Sequence, residues 1–570
     1  MKLFLRCLVL GVVVLASRSA MSNEKTAATV ESGLYESTIP AAPEFRIDRL
    51  VFSKLSASGI EPRLCSDSVF VRRAFLDVIG TLPTADEARQ FIDDPDHENK
   101  RTVLIEHLLA REEFADYWAM KWGDVLRIKA EFPVNLWPNA AQAYHRWVRS
   151  SIVENKPYDQ FARELLTSSG SNFRVAPVNF YRAIQDKTQE GIANVVALTL
   201  MGMRTDSWPE SRRAGFALFF SQVSYKPTAE WKEEVVFWDP LKVVAQASNV
   251  APGSAVPGTA ASSAVDEDSN AEAAAAAEIP VAHTGTKTSV TALFPDGTAV
   301  TLDPNEDPRV VFANWLITAE NPWFARSVVN RVWAWVMGRG IIHEPDDIRD
   351  DNPPSHPELL AYLETEFVNS GYNLKHLYRL ILTSRVYQLS SIVQADPANA
   401  DAHFSAYPLR RLDAEVLIDA INSITGTYDL YTSAIPEPFT YIPRDVPAIA
   451  LADGSITSPF LALFGRSARA TGMASERDNK PVSAQWLHLL NSSHIQKKLE
   501  GSDRLKTLYG VRRKPEQTLE ELYLTVLSRR PSSDEVKRAL QSGSADGLTR
   551  NDWIDLTWAL VNNTEFLYRH

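Results

Sequence analysis

Residues 245–280 contain the run ASNVAPGSAVPGTAASSAVDEDSNAEAAAAAE, almost entirely Ala, Ser, Pro, Gly and acidic residues. This composition buries too little apolar surface to offset the entropy of ordering it, so it reads as a linker or a disordered loop. The fold must come from what lies on either side. With 570 residues the chain is long enough for two domains and a linker. Both flanks carry apolar residues at helical spacing. The expected fold is therefore mainly α: two helical domains joined by a low-complexity linker with a small β-hairpin insertion. The expected boundaries are a leader over 1–22, a flexible lead-in over 23–43, a helical domain over 44–240, linker and hairpin over 241–304, and a second helical domain over 305–570.

In the first flank FRIDRLVFSKL and VFVRRAFLDVI read as amphipathic helices. Thr84 and Glu87 then form a capping-box start, in which hydroxyl and carboxylate satisfy free backbone N–H groups. Further helices are expected at about 99–110, 113–129, 139–154, 158–168, 188–203 and 209–222. After the linker, TSVTALFPDGTAVTL alternates around Pro295-Asp296-Gly297, a hairpin signal. NPWFARSVVNRVWAWVMG is a helix stopped at Gly338. Three more capping-box starts are expected: Ser355 with Glu358, Thr518 with Glu521, and Ser532 with Glu535. The stretches around Leu82–Glu87 and Arg530–Glu535 echo one another, a likeness that helix-hairpin chemistry alone can produce.

The N-terminus reads as a secretory signal peptide: Lys2 and Arg6, an apolar core from Leu8 to Ala16, and small residues before Asn23. The expected location is periplasmic or extracellular. The net charge is −12, and losing the three cations Lys2, Arg6 and Arg18 with the leader takes it to −15. That balance excludes a nucleic-acid partner, which needs a basic face. No segment after the leader is apolar enough to span a membrane. Of two cysteines, Cys7 leaves with the leader and Cys65 stands alone, so neither a disulfide nor a Cys-based metal site is expected.

The motifs carry a resemblance. IDRLVFSKL, RRAFLDVIGTLPTADEARQFI, WAMKWGDVLR and KPYDQFARELL resemble a planctomycete-specific, cytochrome-associated domain of exported bacterial proteins. NPWFARSVVNRVWAWVMGRGIIHEPDDIRDDNPPSHPELL, GYNLKHLYRLILTSRVYQLS, RRLDAEVLIDAI and SERDNKPVSAQWLHLLN resemble the planctomycete-specific partner domain that usually follows it. Both are domains of unknown function. The resemblance implies a Cys-x-x-Cys-His motif late in the first domain, able to attach haem or bind metal, and a Cys-x-Cys before the Glu-Arg pair of the second. Here LTLMGMRTDSWPESRR and Met473-Ala474-Ser475 stand at those places, without Cys or His. The two stretches are expected to meet in space, and this chain to have lost the whole site.

The densest polar stretch is His343-Glu344-Pro345-Asp346-Asp347-Ile348-Arg349-Asp350-Asp351-Asn352. Three readings stay open: a hard-cation site such as calcium, paired carboxylates for acid/base work on a glycoside, or a solvated loop that caps turns and the next helix. The candidate polar or ligand site is Arg326, Asn330 and Arg331 on the preceding helix, with His343, Asp346, Asp347, Asn352 and His356. Trp323, Trp333 and Trp335 on that helix are either core or sugar-stacking residues. Arg72 or Arg73 with Asp77, Asp124 with Arg127, and Arg411 with Glu415 are spaced for local ion pairs. The eleven His show no HExxH and no tight cluster. No Walker loop, GxSxG elbow or dinucleotide fingerprint is present, and no cofactor is expected, neither metal nor haem. Three function classes follow: a non-enzymatic exported protein binding a polysaccharide or another exported protein, an extracellular hydrolase of complex carbohydrate, and a redox-associated protein that has lost its Cys sites.

Overall fold

A computed structural model describes residues 33–242, 290–393, 402–510, 513–543 and 548–570. The leader and the low-complexity run lie outside the described residues. The expected helices of the first flank form, among them Arg46–Ala57, α1 (Asp67–Val78), Ala85–Asp93, Lys100–Ala110, α2 (Glu112–Val125), Pro138–Val153 and Tyr158–Thr167. Gln189–Val196 continues into a wider π-type turn, Ala197–Met201, that ends on Gly202 at φ +63°. The second flank contributes Pro308–Leu316, α3 (Phe324–Met337), Pro357–Asn369, Leu374–Thr383, α4 (Ala414–Thr425) and a C-terminal group that includes Pro515–Leu527 and Arg550–Val561. No helix among the described residues is long and apolar enough to cross a membrane.

The hairpin around Pro295-Asp296-Gly297 is present, Val290–Leu293 against Ala299–Leu302, with Gly297 at φ +89° in the turn. Phe294 at its tip stacks on Phe219 and Trp315, so it wedges between the two helical regions. Three β features were not expected, one of them the short antiparallel pairing of Arg410–Arg411 with Tyr568–Arg569. Val223–Pro227, Glu234–Trp238 and Gly170–Ser171 make a small antiparallel sheet inside the first region. Glu36–Pro40, in the expected lead-in, pairs with Arg63–Cys65.

The two helical regions bury one common apolar core, which runs from Ile47 to Leu567. Aromatic rings form its seam. Trp118 of α2 lies 5.6 Å from Trp335 and 4.2 Å from Tyr378, and Tyr158 lies 5.2 Å from Phe324. Truncating such a core Trp costs about 3–5 kcal/mol. Trp333 is fully buried and Trp323 packs on Trp315, so the tryptophans of α3 and its N-cap serve the core.

Helix starts separate into those the sequence places correctly and those it does not. Thr84 with Glu87 and Ser532 with Glu535 form complete capping boxes. The helix of the first is tied to the Pro515–Leu527 helix and the turn after it by ion pairs: Arg89 with Glu521, and Arg530 with both Asp93 and Glu520. Ser355 does not cap. Its hydroxyl donates to the Ile341 carbonyl, and the helix begins one residue later, at His356-Pro357. Thr518 is buried inside the Pro515–Leu527 helix, because Pro515 already fixes the first turn.

α3 ends on Gly338 at φ +75°, where an added Cβ would sit 2.6 Å from Arg410 Cδ. Gly338→Ala should cost at least about 1–2 kcal/mol, the usual penalty for a left-handed Ala. Urea denaturation would show this as a lower midpoint; an unchanged midpoint would mean that the turn relaxes without loss.

Candidate functional site

The acidic loop folds back on α3. Asn330 is fully buried, and its side chain clamps Ile342 by accepting from its N–H and donating to its carbonyl, each at 2.9 Å. Asn352 closes the loop by donating to the carbonyls of His343 and Asp347. Asp347 turns outward to Arg349, at 3.2 Å. Asp346 turns inward to Arg331, at 3.0 Å, with both side chains at most 4% exposed. Arg326 belongs to neither, and instead pairs with Glu364 on the next helix. His356 is buried against Phe404 and His403, and burial together with Lys54 pulls its imidazole down to about 4. The structure therefore brings Asn330, Arg331, His343, Asp346 and Asn352 into one closed turn, not a cleft. Asp346 and Asp347 face different partners.

Arg331 and Asp346 have another role. The C-terminal carbonyls of a helix lack partners and carry partial negative charge. Arg331 donates to two of them, Thr199 and Leu198, and Ser327 donates to Leu200. Asp346 accepts from the Ala474 N–H at 2.6 Å. Arg127 spans the same place, donating to Thr471 O and Thr199 Oγ1. The two stretches where the resemblance puts cysteines do meet, across this buried Arg–Asp pair. The groups gathered there are guanidinium groups, one engaged carboxylate, the Ser327 and Thr199 hydroxyls and peptide groups. No thiolate or imidazole is among them, so the residues do not fit a haem or a thiolate-bound metal.

The expected local ion pairs give way to long-range ones. Arg72 donates to the Val526 and Phe566 carbonyls, and Arg73 to those of Tyr387, Leu389 and His570. Asp77 accepts from Tyr387 and Tyr407 and faces Arg569. Asp124 meets Arg469 and Arg477, Glu415 meets Arg466 and Arg477, and Asp413 meets Lys121 and Arg569. Arg411 donates to backbone carbonyls of Phe464, Asp478 and Asn479. The loop around Arg466–Asn479 thus plugs between α2 and α4. Burial alone would raise the Glu415 carboxyl, but Arg477 and Arg466 outweigh it and bring it down to about 2. Asp413 is likewise held well below the carboxylate range, with burial overcome by Lys121, Arg569 and Arg477. On the same helix, burial pushes the Asp419 carboxyl up to about 7 even though the Ala448 and Ile449 N–H groups donate to it.

Two constellations escape a linear reading. His488, His494 and Asp429 form a chain, with 2.7 Å from His494 to the carboxylate and 3.3 Å between the imidazoles. The expectation of scattered histidines is corrected here: the tight turn at Ser492 brings helices Ser483–Asn491 and Ser493–Gly501 together. The second is an aromatic shelf on the surface. Trp137 and Phe439 lie 5.3 Å apart, and Lys232 Nζ sits 5.7 Å from the Trp137 ring and 5.3 Å from Trp231. Trp231 is 67% exposed and Phe439 45%; Phe132 and Tyr441, on the same loops, are also exposed. Trp137 stands at φ +71°, ψ 147°, a strained backbone for any residue with a Cβ. Glu131 fixes the loops to one another by accepting from Ser433 Oγ and the Ala434 N–H. The three contributing loops are separated by some 90 and 200 residues, as their numbering shows. The hints were local: exposed-type loops, EFPVNLWPN and TAEWKEE, that carry large aromatics.

Comparison with known families places residues 46–205 in PSCyt2, described as a protein of unknown function (DUF1549), and residues 308–542 in PSD1, described as a protein of unknown function (DUF1553). No curated protein and no solved structure matches the chain.

Asp346→Ala would leave Arg331 buried without its counter-charge and should cost about 3–5 kcal/mol. A loss below 1 kcal/mol in denaturation would show that the pair is not structural. The pH profile gives an independent check. Burial lowers His145 to about 3, and His356 and His570 to about 4, whereas unfolded His titrates near 6.5. The unfolded chain therefore binds more protons, and stability rises with pH from about 4 to about 6.5. Glu415 and Asp413 add to the rise below about pH 4. Asp419 opposes it, since its folded carboxyl keeps a proton up to about 7 that the unfolded chain releases near 4. Asp419→Asn should steepen the rise between pH 4 and 7; an unchanged slope would contradict this assignment.

Proposed function

We propose that this chain, whose residues 46–205 and 308–542 match two domains of unknown function, is an exported, non-enzymatic binding protein whose ligand is a polysaccharide. The aromatic shelf carries this reading. Soluble proteins rarely leave large aromatics grouped in water without a partner, and Trp and Tyr dominate the energetics of recognition. Trp137, Trp231 and Phe439 offer flat apolar faces for the C–H faces of sugar rings. Lys232 between them supplies a donor for ring hydroxyls. The strain at Trp137 is of the kind that clusters at ligand clamps. The leader at the N-terminus supports export. The hydrolase reading has less support, since Asp346 is sealed by Arg331 and Ala474. The redox reading has less still, since a guanidinium stands where its cysteines would meet.

Co-sedimentation with insoluble polysaccharides of several backbones tests the proposal. The wild type should bind at least one, and Trp231→Ala should weaken that binding tenfold or more, about 1.4 kcal/mol. Because Trp231 is exposed, its melting temperature should not change. Failure of the wild type to bind any of them, or equal binding by the variant, would overturn the reading.

A further inference from the structure

A recess opens where the Arg46–Ala57 and Lys100–Ala110 helices of the first region meet Pro357–Asn369 and Leu374–Thr383 of the second. Its polar lining is Arg46, Thr102, Glu106, Tyr362, Arg379 and Thr383. Arg379 spends two of its nitrogens, Nε and Nη2, on Glu106, which leaves Nη1 uncommitted among the described residues. The Arg46 guanidinium lies 4.9 Å from the Tyr362 ring centre and makes no hydrogen bond or ion pair among the described residues. Two guanidinium groups and one carboxylate make the lining net cationic in a chain of net charge −12.

We propose that this recess binds a uronate unit, a sugar ring bearing a carboxylate. The proposal deepens the polysaccharide reading by naming the sugar class, and rests on it to that extent. Each part of the ligand has a counterpart. The carboxylate meets Arg46, whose planar fork suits bidentate recognition and is held in place by Tyr362, with Arg379 Nη1 as a further donor. The ring hydroxyls meet Thr102, Thr383 and the free acceptor capacity of Glu106. The apolar ring face meets Phe45 at the rim, 40% exposed. Arg46 is exposed too, and the fold asks nothing of its charge.

Calorimetry of the mature full-length protein with a galacturonate trimer tests this, with a neutral galactose trimer and inorganic sulfate as controls. The galacturonate trimer should bind, at least tenfold more tightly than either control, and more weakly as salt is raised. Arg46→Gln should weaken it at least tenfold. Equal binding of the neutral trimer, sulfate binding as tight as the uronate, or an Arg46→Gln protein that binds normally would each overturn the proposal. None of those results touches the aromatic shelf, whose own test is loss of polymer binding in Trp231→Ala.

Discussion

Arg477 lies between Asp124 of α2 and Glu415 of α4, bonded to both carboxylates. Moving one ion into a protein interior costs several kcal/mol, and the cost is offset only when every charge finds well-placed partners. Here each does. Asp124 also holds Arg469, Glu415 also holds Arg466, and Asp413 beside them takes Lys121, Arg569 and Asn479. The Arg466–Asn479 loop therefore has one position in which its charges are satisfied, and that position locks α2 to α4. Non-directional apolar packing could tolerate a range of angles between the two regions; this network fixes one.

The same constraint explains what was legible in the sequence. Helices, the Gly338 stop, two capping boxes and the Pro295-Asp296-Gly297 hairpin depend on neighbours within a few residues, and those the chain displays. The ionic partners do not. Arg72 and Asp77 have the spacing of a local pair, yet nearly all of α1 is buried, so Arg72 turns to helix-end carbonyls at Val526 and Phe566. Glu415 is four residues from Arg411 and binds Arg466 and Arg477 instead. Spacing shows which side chains can meet along one helix. It says nothing of better partners brought in by another.

For the candidate site the outcome is mixed. The acidic loop stands out in sequence because its charges are dense, but density here reflects turn closure and one buried pair. The meeting of the 198–202 and 473–475 stretches was legible only through family likeness. Arg331 and Asp346 fill that junction. The shelf and the Arg46 recess were invisible, since each draws on residues from both regions that no local pattern connects.

The contacts of α1 also bear on time. Its buried Arg72 waits for carbonyls 454 and 494 residues further along the chain. At a synthesis rate of about 5–20 residues per second, that is a delay of roughly 20–100 s after α1 is made. For that interval Arg72 lacks the carbonyl partners it has in the folded chain. The bonds of Arg72 therefore tie the completion of α1's surroundings to the last helices of the chain, so that a ribosome must deliver nearly the whole sequence before this arginine is satisfied.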